Sequence, residues 1–87
     1  MIEPGLWRNW KGHYMLVLPG TAYNSETAED MVKYLELTDR HGRVNAYPRE
    51  WSRPERMWTD HINKDGYEGP RFTKIKSNDL IIARPLG

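Results

Sequence analysis

Aromatic rings alternate with cations near the start of the chain, in the segment GLWRNWKGHY at residues 5–14. Trp7 and Trp10 offer flat faces on which a nucleotide base can stack, and Arg8 between them offers a guanidinium group that binds phosphate or carboxylate. If this segment is extended, successive side chains point to opposite faces, so the two indoles diverge. We therefore expect one indole in the core and the other free to stack on a flat polar ligand.

A second candidate site is the segment YNSET at residues 23–27. A tyrosine ring beside several small donors and acceptors is the usual composition of a small-ligand pocket. Short polar side chains also bond to nearby backbone groups, so a local turn between two strands is an equally weighted alternative. The residues that the binding interpretation assigns to the ligand are Tyr23, Asn24, Ser25, Glu26 and Thr27.

Two more arginines carry the same chemistry: Arg53 precedes Pro54 in SRPERMW, and Arg71 lies in GPRF. Proline restricts the residue before it to extended conformations. The planar guanidinium fits a phosphate or a carboxylate, and the alternative for Arg53 is a structural ion pair with Glu26 or Glu55. The core is the expected place for the apolar neighbours Met57, Trp58 and Phe72.

Catalytic and metal chemistry receive little support from the sequence. The chain has no cysteine, which excludes disulfides, thiolate metal sites and cysteine nucleophiles. Its histidines, at positions 13, 41 and 61, lack partners at metal-ligand spacing, its serines lack a nucleophile-elbow context, and its glycines form no phosphate loop. We predict no catalytic residue, no metal and no cofactor, and we favour a binding role over catalysis.

The charge balance limits the choice of partner. Thirteen Lys and Arg oppose twelve Asp and Glu, so the net charge is +1, although residues 26–36 are acidic and residues 40–56 are basic. Neutralising several phosphates leaves a stronger basic signature, so nucleic acid ranks second as a ligand. The longest apolar run, residues 14–19, is too short to cross a bilayer, and together with the absence of cysteine it predicts a cytoplasmic protein with no membrane contact.

Frequent turn signals separate short runs rich in aromatic and β-branched residues, which predicts a mostly-β domain, a small barrel of five or six short strands. The clearest hairpin signal is Asp65-Gly66. The run HYMLVL is apolar on both faces, so we expect a central strand covered on both sides. We expect one domain over residues 1–87, with loose ends at residues 1–4 and 85–87. The predicted strands are WRNW, HYMLVL, VKYLELT, RVNAY, RFTKI and LIIA.

Residues 26–38 fit two periodicities. Ala28, Met31, Val32 and Leu35 have the spacing of an amphipathic helix, whereas the residues from 33 to 37 alternate as in a strand. We expect at most one helical turn, near residues 26–30, followed by a strand over residues 32–38.

Four blocks, in this order along residues 4–75, resemble the small bacterial and phage domain-of-unknown-function family 1653. That family has tyrosines where this chain has Trp7 and Trp10, and histidines where it has Asn9 and Asn24, so a mechanism needing those histidines does not carry over. The resemblance implies an SH3-like β-barrel and no known activity. The blocks are GLWRNWKGHYMLVL, AYNSETAEDMVKYLEL, RPERMW and GPRF.

Together these features predict a non-catalytic module that binds a small polar ligand, nucleotide-like or phosphate-bearing. A role as a phage or mobile-element accessory protein that sequesters a nucleotide signal follows from the family context. The alternatives are a barrel that binds single-stranded nucleic acid, and a protein-interaction module with an aromatic groove. The apolar run at residues 80–83 would be a sticky edge strand, which favours a homodimer.

Overall fold

The structure, a computed structural model, describes residues 2–76 of the chain. Over these residues the chain forms seven strands in two antiparallel sheets, of order β4-β3-β2-β1-β7 and β5-β6, with one helical turn. The elements are β1 (Gly5–Asn9), β2 (Tyr14–Asn24), β3 (Glu29–Glu36), β4 (Glu50–Pro54), α1 (Glu55–Trp58), β5 (His61–Lys64), β6 (Tyr67–Pro70) and β7 (Phe72–Lys74).

The mostly-β prediction is confirmed, and the details differ in three places. The described residues form seven strands rather than five or six, the helical turn lies at Glu55–Trp58 rather than near residues 26–30, and RVNAY contributes only an isolated bridge between Thr38 and Val44. Residues 25–28 form the turn between β2 and β3 because the Asn24 side-chain oxygen accepts the amide hydrogens of residues 26 and 27. The predicted LIIA strand and the loose end at 85–87 lie outside the described residues.

Strand β2 is the centre of the larger sheet, as predicted, but only one of its faces is buried. Met15 and Val17 are each 3% exposed, whereas Leu16 between them is 36% exposed on the opposite face. The prediction that both faces are covered is therefore wrong for the described residues. The buried face packs into the core, which consists of Met15, Val17, Val32, Tyr34, Trp58 and Phe72.

Trp58 is the centre of this core and is 1% exposed. Its ring stacks on Phe72 at a centroid distance of 4.0 Å and contacts Tyr34 at 5.2 Å. Trp7 meets it edge-on at 5.8 Å, and this indole donates a hydrogen bond to the Glu3 carbonyl. The short helix α1 thus closes the core by delivering one large ring to the inner face of the sheet.

The Asp65-Gly66 hairpin is confirmed, with Lys64 paired to Tyr67 across the turn. Asp65 has φ 53° and Gly66 has φ 81°, the left-handed conformations that a tight primed turn requires. At the start of the chain, where we expect a loose end at residues 1–4, Ile2 packs against the core. No helix within residues 2–76 is long and apolar enough to span a bilayer.

Leu16 and Met15 give a direct test of which face is buried. Because Leu16 is 36% exposed, Leu16→Ala should cost about 1 kcal/mol, less than a core deletion. Met15→Ala should cost about 2–5 kcal/mol, because it leaves a cavity beside the core rings. Urea unfolding of both variants measures the two costs. An equal or larger cost for Leu16→Ala would contradict the described orientation of β2.

An ion pair fastens α1 to β3, and its loss in acid can be predicted. Arg56 Nε lies 2.6 Å from Glu29 Oε1, and this hydrogen bond lowers the pKa of Glu29 below its ordinary value of 4.5. A carboxyl whose pKa is lower in the folded state stabilises the fold above pH 4.5, and the contribution is lost as the pH falls through the folded value. Glu29→Gln should therefore flatten the loss of stability below that pH, measured by urea unfolding across the range. Glu26→Gln, an exposed carboxyl on the β2–β3 turn, is the control, and an equal flattening in it would contradict the prediction.

Candidate ligand-binding site

A cleft of about 230 Å³ opens beside the core, where the ends of β1 and β3 meet β4 and the start of β7. Two guanidinium groups border it, and we call it the arginine cleft. The pairing of β3 with β4 and of β1 with β7 brings its walls together from distant parts of the chain. The lining residues are Asn9, Trp10, Lys11, His13, Met15, Tyr34, Glu36, Arg53, Arg71 and Phe72.

Arg53 is the most distinctive group of the arginine cleft. It pairs across the strands with buried Val32, so its side chain shares the inner face, and its Cζ lies 5.6 Å from the centre of the Phe72 ring. Its Nε atom is buried and has no hydrogen-bond partner among residues 2–76. The ion pairs that the structure records for this part of the chain involve other cations. Between described residues, no recorded ion pair therefore joins Arg53 to Glu26 or Glu55, the structural alternative for this arginine.

Arg71 enters the arginine cleft from the residue before β7. Its Nε lies 3.5 Å from Asp60 Oδ2, an ion pair that does not meet hydrogen-bond geometry, so this buried Nε also lacks a hydrogen-bond partner within residues 2–76. The backbone holds Arg71 firmly: its amide donates to the Asp60 carbonyl at 2.9 Å, and its carbonyl accepts from the Trp10 amide at 2.8 Å. Main-chain bonds thus fix the backbone of Arg71 at the edge of the cleft, and its Nε keeps donor capacity for a ligand.

The two indoles of the opening segment have different surroundings in the structure. Trp7 packs against the core, whereas Trp10 lies past the end of β1 and borders the arginine cleft. Trp10 is not a free platform, because Tyr67 stacks on it at 5.6 Å and the Lys11 ammonium lies 5.4 Å from its ring centre. Tyr67 and Lys11 therefore cover part of the Trp10 ring.

His13 and Glu36 form a pair in the wall of the arginine cleft that the sequence analysis did not single out. His13 Nδ1 lies 2.6 Å from Glu36 Oε1, and both side chains are partly exposed. An ionised carboxylate only accepts hydrogen bonds, so His13 Nδ1 is the donor in its contact with ionised Glu36. The pairing depends on the β2–β3 register, which no local sequence signal reveals.

Of the predicted ligand residues, the structure brings Trp10, Arg53 and Arg71 together and separates the rest. Arg8 pairs with Thr73 on the outer face of the sheet, and Trp7 belongs to the core. The segment at residues 23–27 lies at the tip of the β2–β3 hairpin, where Asn24 serves as the local turn cap considered as the alternative. The residues that do not line the arginine cleft are Trp7, Arg8, Tyr23, Asn24, Ser25, Glu26 and Thr27.

The charges around the arginine cleft favour an anion. Among the described residues that line it, Lys11, Arg53 and Arg71 face one carboxylate, that of Glu36, which already accepts from His13. Asp60 offsets part of the charge of Arg71. Within residues 2–76 there is also no group of three or more histidine, cysteine or acidic side chains placed to hold a metal ion. The chemistry that this arrangement offers is recognition of a small anion through guanidinium donors.

Fold and cleft together define a small antiparallel β domain with a cation-lined pocket. The chain belongs to the family described as Protein of unknown function (DUF1653), whose model matches residues 5–74. A crystal structure of a DUF1653 protein from Bordetella bronchiseptica is similar, with 30% sequence identity and a TM-score of 0.66 over 85% of this chain and 87% of that chain. No curated protein matches the sequence at a significant level.

Proposed function

We propose that the protein binds a small phosphate-bearing or carboxylate-bearing ligand in the arginine cleft and does not transform it. The observation that carries this proposal is the Arg53 guanidinium, half-buried over Phe72 with its Nε atom unbonded within residues 2–76. Removing a charge from water without a partner is costly, and an incoming anion repays that cost. Arg71 supplies a second set of donors at the same cleft.

The size of the arginine cleft limits what enters it. About 230 Å³ accommodates a phosphate or carboxylate group with a short polar neighbour, and a whole nucleotide extends beyond it. The open rim carries Trp10, Lys11 and the stacked Tyr67. A nucleotide-like ligand therefore places its phosphate between the arginines and its planar group toward Trp10, displacing the lysine side chain.

Single-stranded nucleic acid is the second candidate, because an aromatic pair flanked by a lysine at the rim of a cationic cleft resembles a stacking platform. The net charge of +1 argues against it. Binding of an extended peptide ranks third.

We also propose a compartment, an oligomeric state and a biological role for the protein. We place the protein in the cytoplasm, as a homodimer and as an accessory protein of a phage or other mobile element that sequesters a nucleotide signal. The absence of cysteine supports a reducing compartment. We further propose that the larger sheet is an SH3-like barrel, although the described pairings end at β4 and β7 without joining them.

Thermal unfolding in the presence of AMP, inorganic phosphate and adenosine tests the ligand class. A ligand at a hundredfold excess over its Kd stabilises the fold by about 2.7 kcal/mol, so AMP or phosphate should raise the melting temperature by several degrees. Adenosine, which lacks the anion, should not. Mass spectrometry of small molecules released from the purified protein extends the search beyond these probes. No shift with any phosphate compound and no released anion would end the proposal, and stronger, salt-sensitive binding of single-stranded DNA would favour the second candidate.

A further inference from the structure

His13 and Glu36 form a polar wall of the arginine cleft, to which the proposed function assigns no role. His13 Nδ1 lies 2.6 Å from Glu36 Oε1, and the two side chains are 25% and 33% exposed. The backbone of His13 is held because its carbonyl accepts from the Asn9 amide at 2.7 Å. Glu36 pairs with the buried Met15 across β2 and β3, which places its side chain on the inner face of the sheet. The pair is therefore a fixed part of the cleft.

The imidazole ring of His13 uses one of its two nitrogens. Nδ1 donates to the ionised Glu36 carboxylate, and among residues 2–76 no hydrogen bond is recorded for Nε2. In a protonated imidazole both nitrogens are donors and the ring carries a positive charge. Protonation of His13 therefore adds a charge and a free donor to the arginine cleft, and it leaves the contact with Glu36 in place.

The charges of the arginine cleft act on this protonation in opposite directions. The cations disfavour an imidazolium, and the Glu36 carboxylate favours it. An anion bound between Arg53 and Arg71 brings a second negative charge into the same cleft, so it shifts the balance toward the protonated ring. The titratable and charged groups that line the cleft together with His13, among the described residues, are Lys11, Tyr34, Glu36, Arg53 and Arg71.

We propose that the arginine cleft takes up its anion together with a proton, and that His13 receives this proton. The inference rests on the anion binding proposed above. Coupling between two binding events is reciprocal, so an anion that favours protonated His13 is itself bound more tightly by the protonated form, and by the same factor. Histidine side chains change charge between about pH 5 and 8. The cleft should therefore hold an anion more tightly as the pH falls through that range.

Titration calorimetry of the full chain with AMP and with inorganic phosphate, at about pH 6 and about pH 8, compares the wild type with His13→Gln. The phosphate group itself gains a proton near pH ~6, and this change is common to both proteins. The ratio of the affinity at the lower pH to that at the higher pH should be about fivefold larger in the wild type than in His13→Gln. Repeating the titration in buffers of different ionisation enthalpy should show that the wild type takes up more protons per bound anion.

The matched control is His61→Gln, because His61 also lies near a glutamate, with Nε2 at 3.7 Å from Glu68 Oε1, but does not line the arginine cleft. This variant should keep the pH dependence of the wild type. A readout in the wild type needs no substitution: in ¹H–¹⁵N spectra of the imidazole rings, the protonated form of His13 should persist to a higher pH when AMP is bound.

Two results would overturn the inference and leave the proposed function in place. The first is an equal pH dependence of binding in the wild type and in His13→Gln, with a His13 titration that bound AMP does not move. The second is the loss of the pH dependence in His61→Gln, which would assign the proton to another group. No binding of AMP or phosphate by the wild type at either pH would instead end the proposed function itself.

Discussion

Trp58→Ala is expected to cost about 3–5 kcal/mol of folding free energy, the largest effect of any single substitution in this core. Trp58 is 1% exposed and touches three other aromatic rings, so its deletion leaves a void in the middle of the ring cluster. Small domains have only about 5–15 kcal/mol of stability in total, so the variant should be largely unfolded at moderate urea concentrations.

The matched control is Trp51→Ala, because Trp51 is 46% exposed on β4. Its deletion should cost clearly less than that of Trp58, since nearly half of the side chain already faces solvent and no closed cavity is left. Urea unfolding followed by circular dichroism measures both variants. A Trp58→Ala cost no larger than that of Trp51→Ala would contradict the described core.

Arg53→Ala is expected to weaken binding of the phosphate ligand by about 10- to 100-fold, the loss that follows when a charged hydrogen-bonding group is removed. The free protein should keep its stability or gain slightly, because the substitution removes a half-buried cation whose Nε has no partner within residues 2–76. Weaker ligand binding with unchanged folding stability indicates a residue that contacts the ligand and is not needed for the fold.

Arg49→Ala is the matched control for Arg53→Ala, since Arg49 is an exposed arginine just before β4 that does not line the arginine cleft. It should bind the ligand as the wild type does. Titration calorimetry with the compound identified by thermal shift, together with urea unfolding, gives both quantities for both variants. A large stability loss in Arg53→Ala, or a binding loss shared equally by Arg49→Ala, would assign Arg53 a structural role or remove it from the site.

Local patterns predicted the parts of this fold that depend on nearby residues. The Asp65-Gly66 turn was predictable because it needs left-handed backbone at two adjacent positions, and those residue types tolerate it. The central place of β2 followed from its apolar run, although the alternating faces proved unequal because only Met15 and Val17 point inward. The hairpin prediction implied the flanking strands β5 and β6, although their short and largely polar sequences did not place them among the predicted strand runs.

The candidate site was only partly predictable, because its members meet through non-local pairing. Strand alternation predicts opposite faces for Trp7 and Trp10, but β1 ends at Asn9. The turn after it, closed by the Asn9 side chain accepting from the Lys11 amide at 2.6 Å, places Trp10 beside Tyr67 and at the rim of the arginine cleft. Arg53 and Arg71 line the same cleft only because β3 pairs with β4 and β1 pairs with β7, and residue spacing does not predict these pairings. In the polar segment at 23–27, which the sequence assigns to ligand binding, the Asn24 side chain caps the β2–β3 turn.

The most direct test of the central claim is a ¹H–¹⁵N spectrum of the arginine Nε–H groups, recorded while AMP or the identified anion is added. Arg53 and Arg71 hold buried Nε atoms without hydrogen-bond partners within residues 2–76, so their signals should move downfield and exchange more slowly with water as the anion binds. The signals of Arg8 and Arg49 should stay in place. Unchanged Arg53 and Arg71 signals at saturating ligand, or larger changes at Arg8 or Arg49, would contradict the assignment of the arginine cleft as the anion site.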